Sequence, residues 1–231
     1  MRGGAFPDRV EAGRQLAEAV NRLLHAHPEM RDPVVLALPR GGVPLALEVA
    51  RVLGAPLDLV LVRKIGVPYQ PELAAAAVVD GADPQMVVNE DVVRACGMSG
   101  DQLAAARARQ LEEIERRRAL YLEDRPPVPL EGRDLIVIDD GVATGATMRA
   151  ALKALRRRGP RSLTLAVPVA ARDTLSVLER EVDHAVCLLA PELLYGIGAH
   201  YAEFHQLADS EVQDLIAEAD RLLADGDGPP G

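Results

Sequence analysis

Lysine is nearly missing from this chain: of its 26 lysines and arginines, only Lys64 and Lys153 are lysine. We read this as a coding bias, and it makes the adjacent Arg63 and Lys64 conspicuous. Cysteine is equally sparse. Cys96 and Cys187 stand far apart and without ligand spacing, which argues against a disulfide framework and for a reducing cytoplasm. Positive charge is in deficit, 26 basic against 35 acidic residues and a net charge of −9, which argues against a general nucleic-acid surface. A local pocket on an acidic protein can still be positive and take a small phosphorylated ligand. No apolar run approaches the ~18 residues of a membrane span. The first ten residues, MRGGAFPDRV, lack the apolar core of a signal peptide, so no membrane partner is expected. The five histidines show no metal spacing, and there is no internal repeat.

What is present suits one large domain. Nearly half of the 231 residues are apolar, enough for a sizeable core. Helical periodicity runs through Val10, Leu16, Val20, Leu23 and Leu24 and stops at Pro28. Strands and helices then alternate: strands over 34–38 and 57–62, with a helix over 43–53 closed by Gly54 between them. The segment 66–80 carries Pro68 and Pro71 and is expected to be a mobile lid; within it, periodicity does not decide between strand and helix for Ala74 to Val79. A long helix is expected over 101–122, its charges interleaved at i, i+4 as in Glu113 with Arg117. After the stiff Arg125-Pro-Pro-Val-Pro linker come a strand at 134–138, a helix at 146–158 ended by Gly159, and a strand at 162–169. A helix at 172–180, a strand at 185–189 and a final helix at 209–223 follow, the last with Asp209 or Ser210 as N-cap. Alternation of this kind implies an α/β fold with a mostly parallel sheet flanked by helices.

Residues 135–151 read LIVIDDGVATGATMRAA, the most informative stretch in the chain. An apolar strand ends in two carboxylates, Asp139 and Asp140. A loop of small residues and then a helix follow. In open α/β sheets, ligands bind beyond the carboxyl ends of strands. A small-residue loop at a helix N-terminus offers backbone N–H groups to an anion, and the helix dipole adds to that attraction. Thr144 and Thr147 add hydroxyls. The paired acids suit hydroxyls, a cation or a developing positive charge better than the phosphate itself. The stretch is neither a Walker A loop nor a dinucleotide fingerprint.

The whole stretch resembles the phosphoribosyl-pyrophosphate signature of type I phosphoribosyltransferases, in which an apolar strand, two acids and a short loop end in Thr-Gly-x-Thr. Two weaker segments fit in the same order. Leu38-Pro-Arg-Gly-Gly-Val resembles the family's pyrophosphate loop, and Arg63-Lys64-Ile-Gly resembles the basic pair before its flexible loop. The stretch 190–204 and the acidic helix after it resemble an uncharacterised bacterial subgroup, whose substrate the likeness does not name.

The resemblance implies a type I phosphoribosyltransferase-like core with a small hood and a helical insertion. It would form one domain over 1–223, with the insertion at about 89–124, a hood and helix at about 190–223, and a disordered tail over 224–231. It implies transfer of 5-phosphoribose to a nitrogenous base, with release of pyrophosphate. Asp139, Asp140, Lys64 and Arg63 would be catalytic, the acids holding the ribose hydroxyls. Gly141, Val142, Ala143, Thr144, Gly145, Ala146 and Thr147 would cradle the 5-phosphate, and Arg40, Gly41 and Gly42 the pyrophosphate, with a cis peptide between Pro39 and Arg40. Mg²⁺ would be bound through substrate oxygens and water, with no direct protein ligand, Asp139 and Asp140 reaching it through water. A homodimer is expected. Ala143 stands where members acting on 6-oxopurines have aspartate, which disfavours such a base. Two further readings stay open: a regulatory module of the same fold that binds the sugar phosphate or a nucleotide without turnover, and a hydrolase of a phosphorylated sugar, for which no nucleophile–base constellation is present. Tyr195, Tyr201 and Phe204 could line a base pocket or be core.

Overall fold

A computed structural model of the chain describes residues 5–67, 70–81, 84–123 and 125–226. Its centre is a five-stranded sheet of β1 (Pro33–Ala37), β2 (Leu57–Leu59), β6 (Asp134–Ile138), β7 (Ser162–Val169) and β8 (His184–Leu189), ordered β2-β1-β6-β7-β8. All four pairings are parallel. Strands of this kind are covered on both faces, which is why they read as unbroken apolar runs. Along β1 and β6, alternate side chains feed two separate cores. Val35, Ala37, Ile136 and Ile138 face α1 (Arg9–Ala26), α2 (Gly42–Leu53) and α7 (Asp209–Gly226). Val34, Leu36, Leu135 and Val137 face α5 (Ala146–Arg156) and α6 (Arg172–Leu178). Each large aliphatic side chain so buried contributes about 1.5–3 kcal/mol.

A second, antiparallel sheet, ordered β3-β4-β5, joins β3 (Val62–Val67), β4 (Gln70–Val79) and β5 (Gln85–Val88). It is followed by α3 (Glu90–Ala95) and α4 (Gly100–Leu122), within the stretch expected to hold a helical insertion. Ser99 and Gln102 close α4 with a reciprocal capping box, and Glu113 accepts from Arg117 at 2.7 Å as the charge spacing implied.

Three expectations need correcting. The run 57–62 is two strands: β2 ends at Leu59, and the chain leaves the parallel sheet where the buried Asp80 carboxylate accepts from the Leu61 amide at 3.0 Å. The segment 66–80 is largely strand, with Ala75 to Val79 buried, because an alanine–valine run fits beneath the helices. Pro68 of the expected lid lies outside the described residues. Helix α7 starts at Asp209 itself, Glu211 accepting from the Ala208 amide at 2.7 Å, and extends to Gly226; the remainder of the expected tail, 227–231, lies outside the described residues.

Candidate active site

The chain passes from β1 to β2 on one side of the sheet and from β6 to β7 on the other. The crevice between the carboxyl ends of β1 and β6 is therefore the topological switch point, where open α/β sheets take ligands. It is there that the sheet brings together the two motifs, Leu38 to Gly42 after β1 and Asp139 to Thr147 after β6.

Their contact is close because glycine permits it. A Cβ on Gly42 would lie 2.6 Å from the Ile138 carbonyl oxygen and 3.0 Å from Asp139 Cα. One on Gly41 would lie 2.2 Å from Asp140 Oδ2. The loop is also tied back to β6, Leu38 donating to the Ile138 carbonyl at 2.9 Å. The Pro39–Arg40 peptide is cis, as expected. Arg40 reaches Asp209 at the start of α7 at 3.5 Å, and the Tyr121 hydroxyl of α4 donates to the same Asp209 oxygen at 2.5 Å.

The acids sit in an unequal setting. Asp139 Oδ1 accepts from the Asp140 amide at 2.9 Å. Burial, and the Asp140 carboxylate beside it, hold the Asp139 carboxyl well above the usual carboxylate range. Burial raises Asp140 too, opposed by Arg9. Arg9, in the first turn of α1, gives both Nε and one terminal nitrogen to Asp140 Oδ2, each at 2.9 Å. Its other terminal nitrogen donates to the His205 carbonyl at 2.8 Å, and its guanidinium lies 3.8 Å from the centre of the Phe204 ring. Tyr201 is core: its buried hydroxyl donates to the Asp140 carbonyl at 2.6 Å, and its ring packs on Phe6. Phe204 instead lines a cavity of ≈ 330 Å³ with Arg9, Arg40, Gly41 and Asp140, whereas Tyr195 is 91% exposed.

Beyond the acids, Val142 is held by its amide donating to Val169 at 2.8 Å, and Thr174 donates to the Ala143 carbonyl at 2.7 Å. Gly145 takes a left-handed conformation (φ 74°) as N-cap of α5 and has no side chain to occupy the helix amides. Those N–H groups lie beside the exposed Thr144 and half-buried Thr147, an arrangement of the kind that can attract an anion. Lys64 shares a shallow cavity with Ala146 and Arg149 at the start of α5. Arg63 does not join the site: its guanidinium donates to Gln110 of α4 at 3.1 Å. A larger cavity, ≈ 850 Å³ and lined by Asp58, Asp80, Arg118 and Arg158 among others, lies toward the amino ends of β6 and β7 and is lined by none of the motif residues.

Sequence reasoning missed Arg9 and the Tyr121–Asp209 pair, and left Phe204 open between pocket and core. Arg9 did leave one signal. A cation in the first turn of a helix opposes the helix dipole unless a carboxylate compensates it.

Fold and crevice define an α/β protein with a mostly parallel sheet, whose two loop motifs meet at the sheet's switch point. The chain belongs to the phosphoribosyl transferase domain family, whose model matches residues 7–188. A Mycobacterium tuberculosis protein named provisionally as a phosphoribosyl transferase is 42% identical over 95% of this chain; the chain spans 48% of that relative's length. A solved structure from Thermus thermophilus superposes with a TM-score of 0.79 at 40% identity, covering 92% of this chain and 98% of that one. A uracil phosphoribosyltransferase of Paenarthrobacter aurescens is 42% identical over 62 residues, 27% of this chain and 29% of that protein.

Proposed function

We propose that this protein transfers 5-phosphoribose from phosphoribosyl pyrophosphate to a nitrogenous base and releases pyrophosphate. The observation that carries the reading is the meeting, at one switch point, of an acid pair, a glycine-packed cis loop and a glycine-capped helix N-terminus. Each suits one part of the substrate. The α5 amides, with Gly141 to Thr147, take the 5-phosphate. Asp139 and Asp140 accept from the ribose hydroxyls and face the positive charge that develops on the ring as the bond from C1 to pyrophosphate breaks. Arg40 and the amides of Gly41 and Gly42 receive the departing pyrophosphate, with Lys64 approaching from β3. In this reading α3 and α4 are an insertion, and the segment from about 190 to 223 is the hood and helix that cover the site, all in one domain.

Among the described residues no group of three or more His, Cys, Asp or Glu is placed to hold a metal ion. In this reading Mg²⁺ would arrive on substrate oxygens and water, with Asp139 and Asp140 as outer partners. Bound in that way, the ion neutralises charge on the leaving group.

The test is a panel of bases incubated with phosphoribosyl pyrophosphate and Mg²⁺ and followed by pyrophosphate release. Ala143 and the partial likeness to a uracil phosphoribosyltransferase make uracil the first to try. The Asp139→Asn, Asp140→Asn double variant should stay folded and lose both release and calorimetric binding. Unchanged affinity and turnover in that variant would sink the assignment. Binding without release from any base would favour the regulatory reading.

A further inference from the structure

Arg9 is 8% exposed, and its guanidinium is engaged on three sides. The arrangement at Asp140 is one-sided: two nitrogens clamp the same oxygen, Oδ2. Oδ1 takes neither of these nitrogens; besides Arg9, the residue's own backbone amide acts on the carboxylate. Asp139 is the counterpart, its Oδ1 held by a backbone amide. Each acid thus has one oxygen held by a named donor, and for Asp140 the clamp comes from a helix 131 residues earlier in the chain. On its other side the same carboxylate fills the space a Cβ on Gly41 would need, 2.2 Å from Oδ2. The third and fourth contacts of Arg9, to the His205 carbonyl and the Phe204 ring, tie this clamp to the segment lining the adjacent cavity.

We propose that Arg9 is a positioning residue of the transfer reaction, clamping Asp140 Oδ2 so that Oδ1 is presented to a ribose hydroxyl. The proposal rests on the phosphoribosyl-transfer reading. Arg9 does not touch the sugar; it acts through Asp140. Its positive charge also offsets the repulsion between two adjacent carboxylates, which otherwise turn apart. Arginine is required for the geometry, since an ammonium cannot place two donors on one oxygen while a third reaches a carbonyl.

Five proteins test this: wild type, Arg9→Met, Arg9→Lys, Asp140→Asn and the Arg9→Met, Asp140→Asn double variant that closes the cycle. Circular dichroism and thermal melting report folding, calorimetry reports phosphoribosyl-pyrophosphate affinity, and pyrophosphate release reports turnover. Arg9→Met should lower kcat about 10²-fold, the scale of a misplacement near 1 Å, with a smaller change in KM. Arg9→Lys, which keeps the charge and tests the idea even if Arg9→Met does not fold, should lower kcat roughly tenfold, equivalent to one lost hydrogen bond to a charged group. In the Asp140→Asn background the Arg9 substitution should have almost no further effect on kcat, because its route of action is gone. Effects that multiply in the double variant, or a folded Arg9→Met or Arg9→Lys with wild-type kcat, overturn the proposal while leaving the function standing. A wild type that neither binds the sugar phosphate nor releases pyrophosphate overturns both. If the wild type binds without turnover, the function fails alone, and the same non-additivity is read in the dissociation constants.

Discussion

Gly42→Ala isolates the contact between the two loops. The added Cβ would meet the Ile138 carbonyl oxygen at 2.6 Å and Asp139 Cα at 3.0 Å, both backbone atoms of the central strand's end. Neither can turn aside, and the Leu38 amide bond to the same carbonyl, 2.9 Å, resists separation of the loops. Overpacking of this kind costs about 1–3 kcal/mol, and rigid backbone on both sides places it near the top of that range. Gly42 opens α2, where alanine returns about 0.5–1 kcal/mol of helix stability, so the net loss is about 2 kcal/mol. For a chain of this size that lowers Tm by about 4–8 °C. Gly41→Ala is the control. Its backbone is right-handed helical (φ −60°), so alanine is unstrained there, and its Cβ would meet the Asp140 carboxylate rather than backbone. That carboxylate can rotate at the expense of its Arg9 bonds. Gly41→Ala should therefore lose less stability yet still weaken phosphoribosyl-pyrophosphate binding. Thermal melts and calorimetry of the pair decide the matter. A Gly42→Ala protein melting within about 1 °C of wild type would show that the loops are not packed as described.

Tyr121→Phe removes the donor to Asp209 that helps hold Arg40, and should cost about 0.5–1.5 kcal/mol in urea unfolding together with weaker pyrophosphate affinity; an unchanged product-inhibition constant would count against the link. Burial pushes Asp80 up to about 6 from an ordinary 3.8, despite Arg118, so the folded chain binds the proton more tightly than the unfolded chain. The resulting stability is full below pH 3.8 and is lost as pH rises through 6, about 3 kcal/mol in all, so stability relative to Asp80→Asn should fall by about that amount between pH 4 and 7 in urea titrations; a pH-independent difference would refute it. Amides of Ala75 to Val79 should be equally protected from hydrogen exchange with and without ligand, since they belong to a buried strand; ligand-dependent protection there would restore the lid.

Legibility tracked how local each signal was. The element 134–138, the start of α5 at Ala146 and the strand 162–169 were readable because Asp139, Gly145 and Gly159-Pro160 mark their limits within a few residues. The sheet β3-β4-β5 was not, since AAAAVV suits strand or helix equally and its pairing partners, Val62 to Val67 and Gln85 to Val88, announce themselves only once aligned. The break at Leu59 depends on Asp80, 19 residues beyond Leu61, which it holds. Arg40, Gly41, Gly42, Asp139 and Asp140 were named as candidates from motif order, and the fold places them in one crevice. Arg63 was named by the same logic and turns to Gln110, because alternate residues of a strand face opposite sides.

That contrast bears on what the acid pair is for. Two neighbouring carboxylates at a buried strand end, both shifted toward protonation, are a poor solution for stability alone: burial disfavours each charge and each disfavours the other. A neutral residue at either position would pack the same space without that penalty. The surroundings, however, are arranged to keep the pair rather than to relieve it. A buried arginine is spent on one oxygen of Asp140, a backbone amide on one oxygen of Asp139, a tyrosine hydroxyl on the Asp140 carbonyl, and two glycines on letting the opposite loop approach. Support of that kind fixes the geometry of the pair at a switch point, beside a helix N-terminus that no side chain caps. Packing alone supplies no reason to keep two such carboxylates braced from several distant elements, whereas the proposed sugar-phosphate site does.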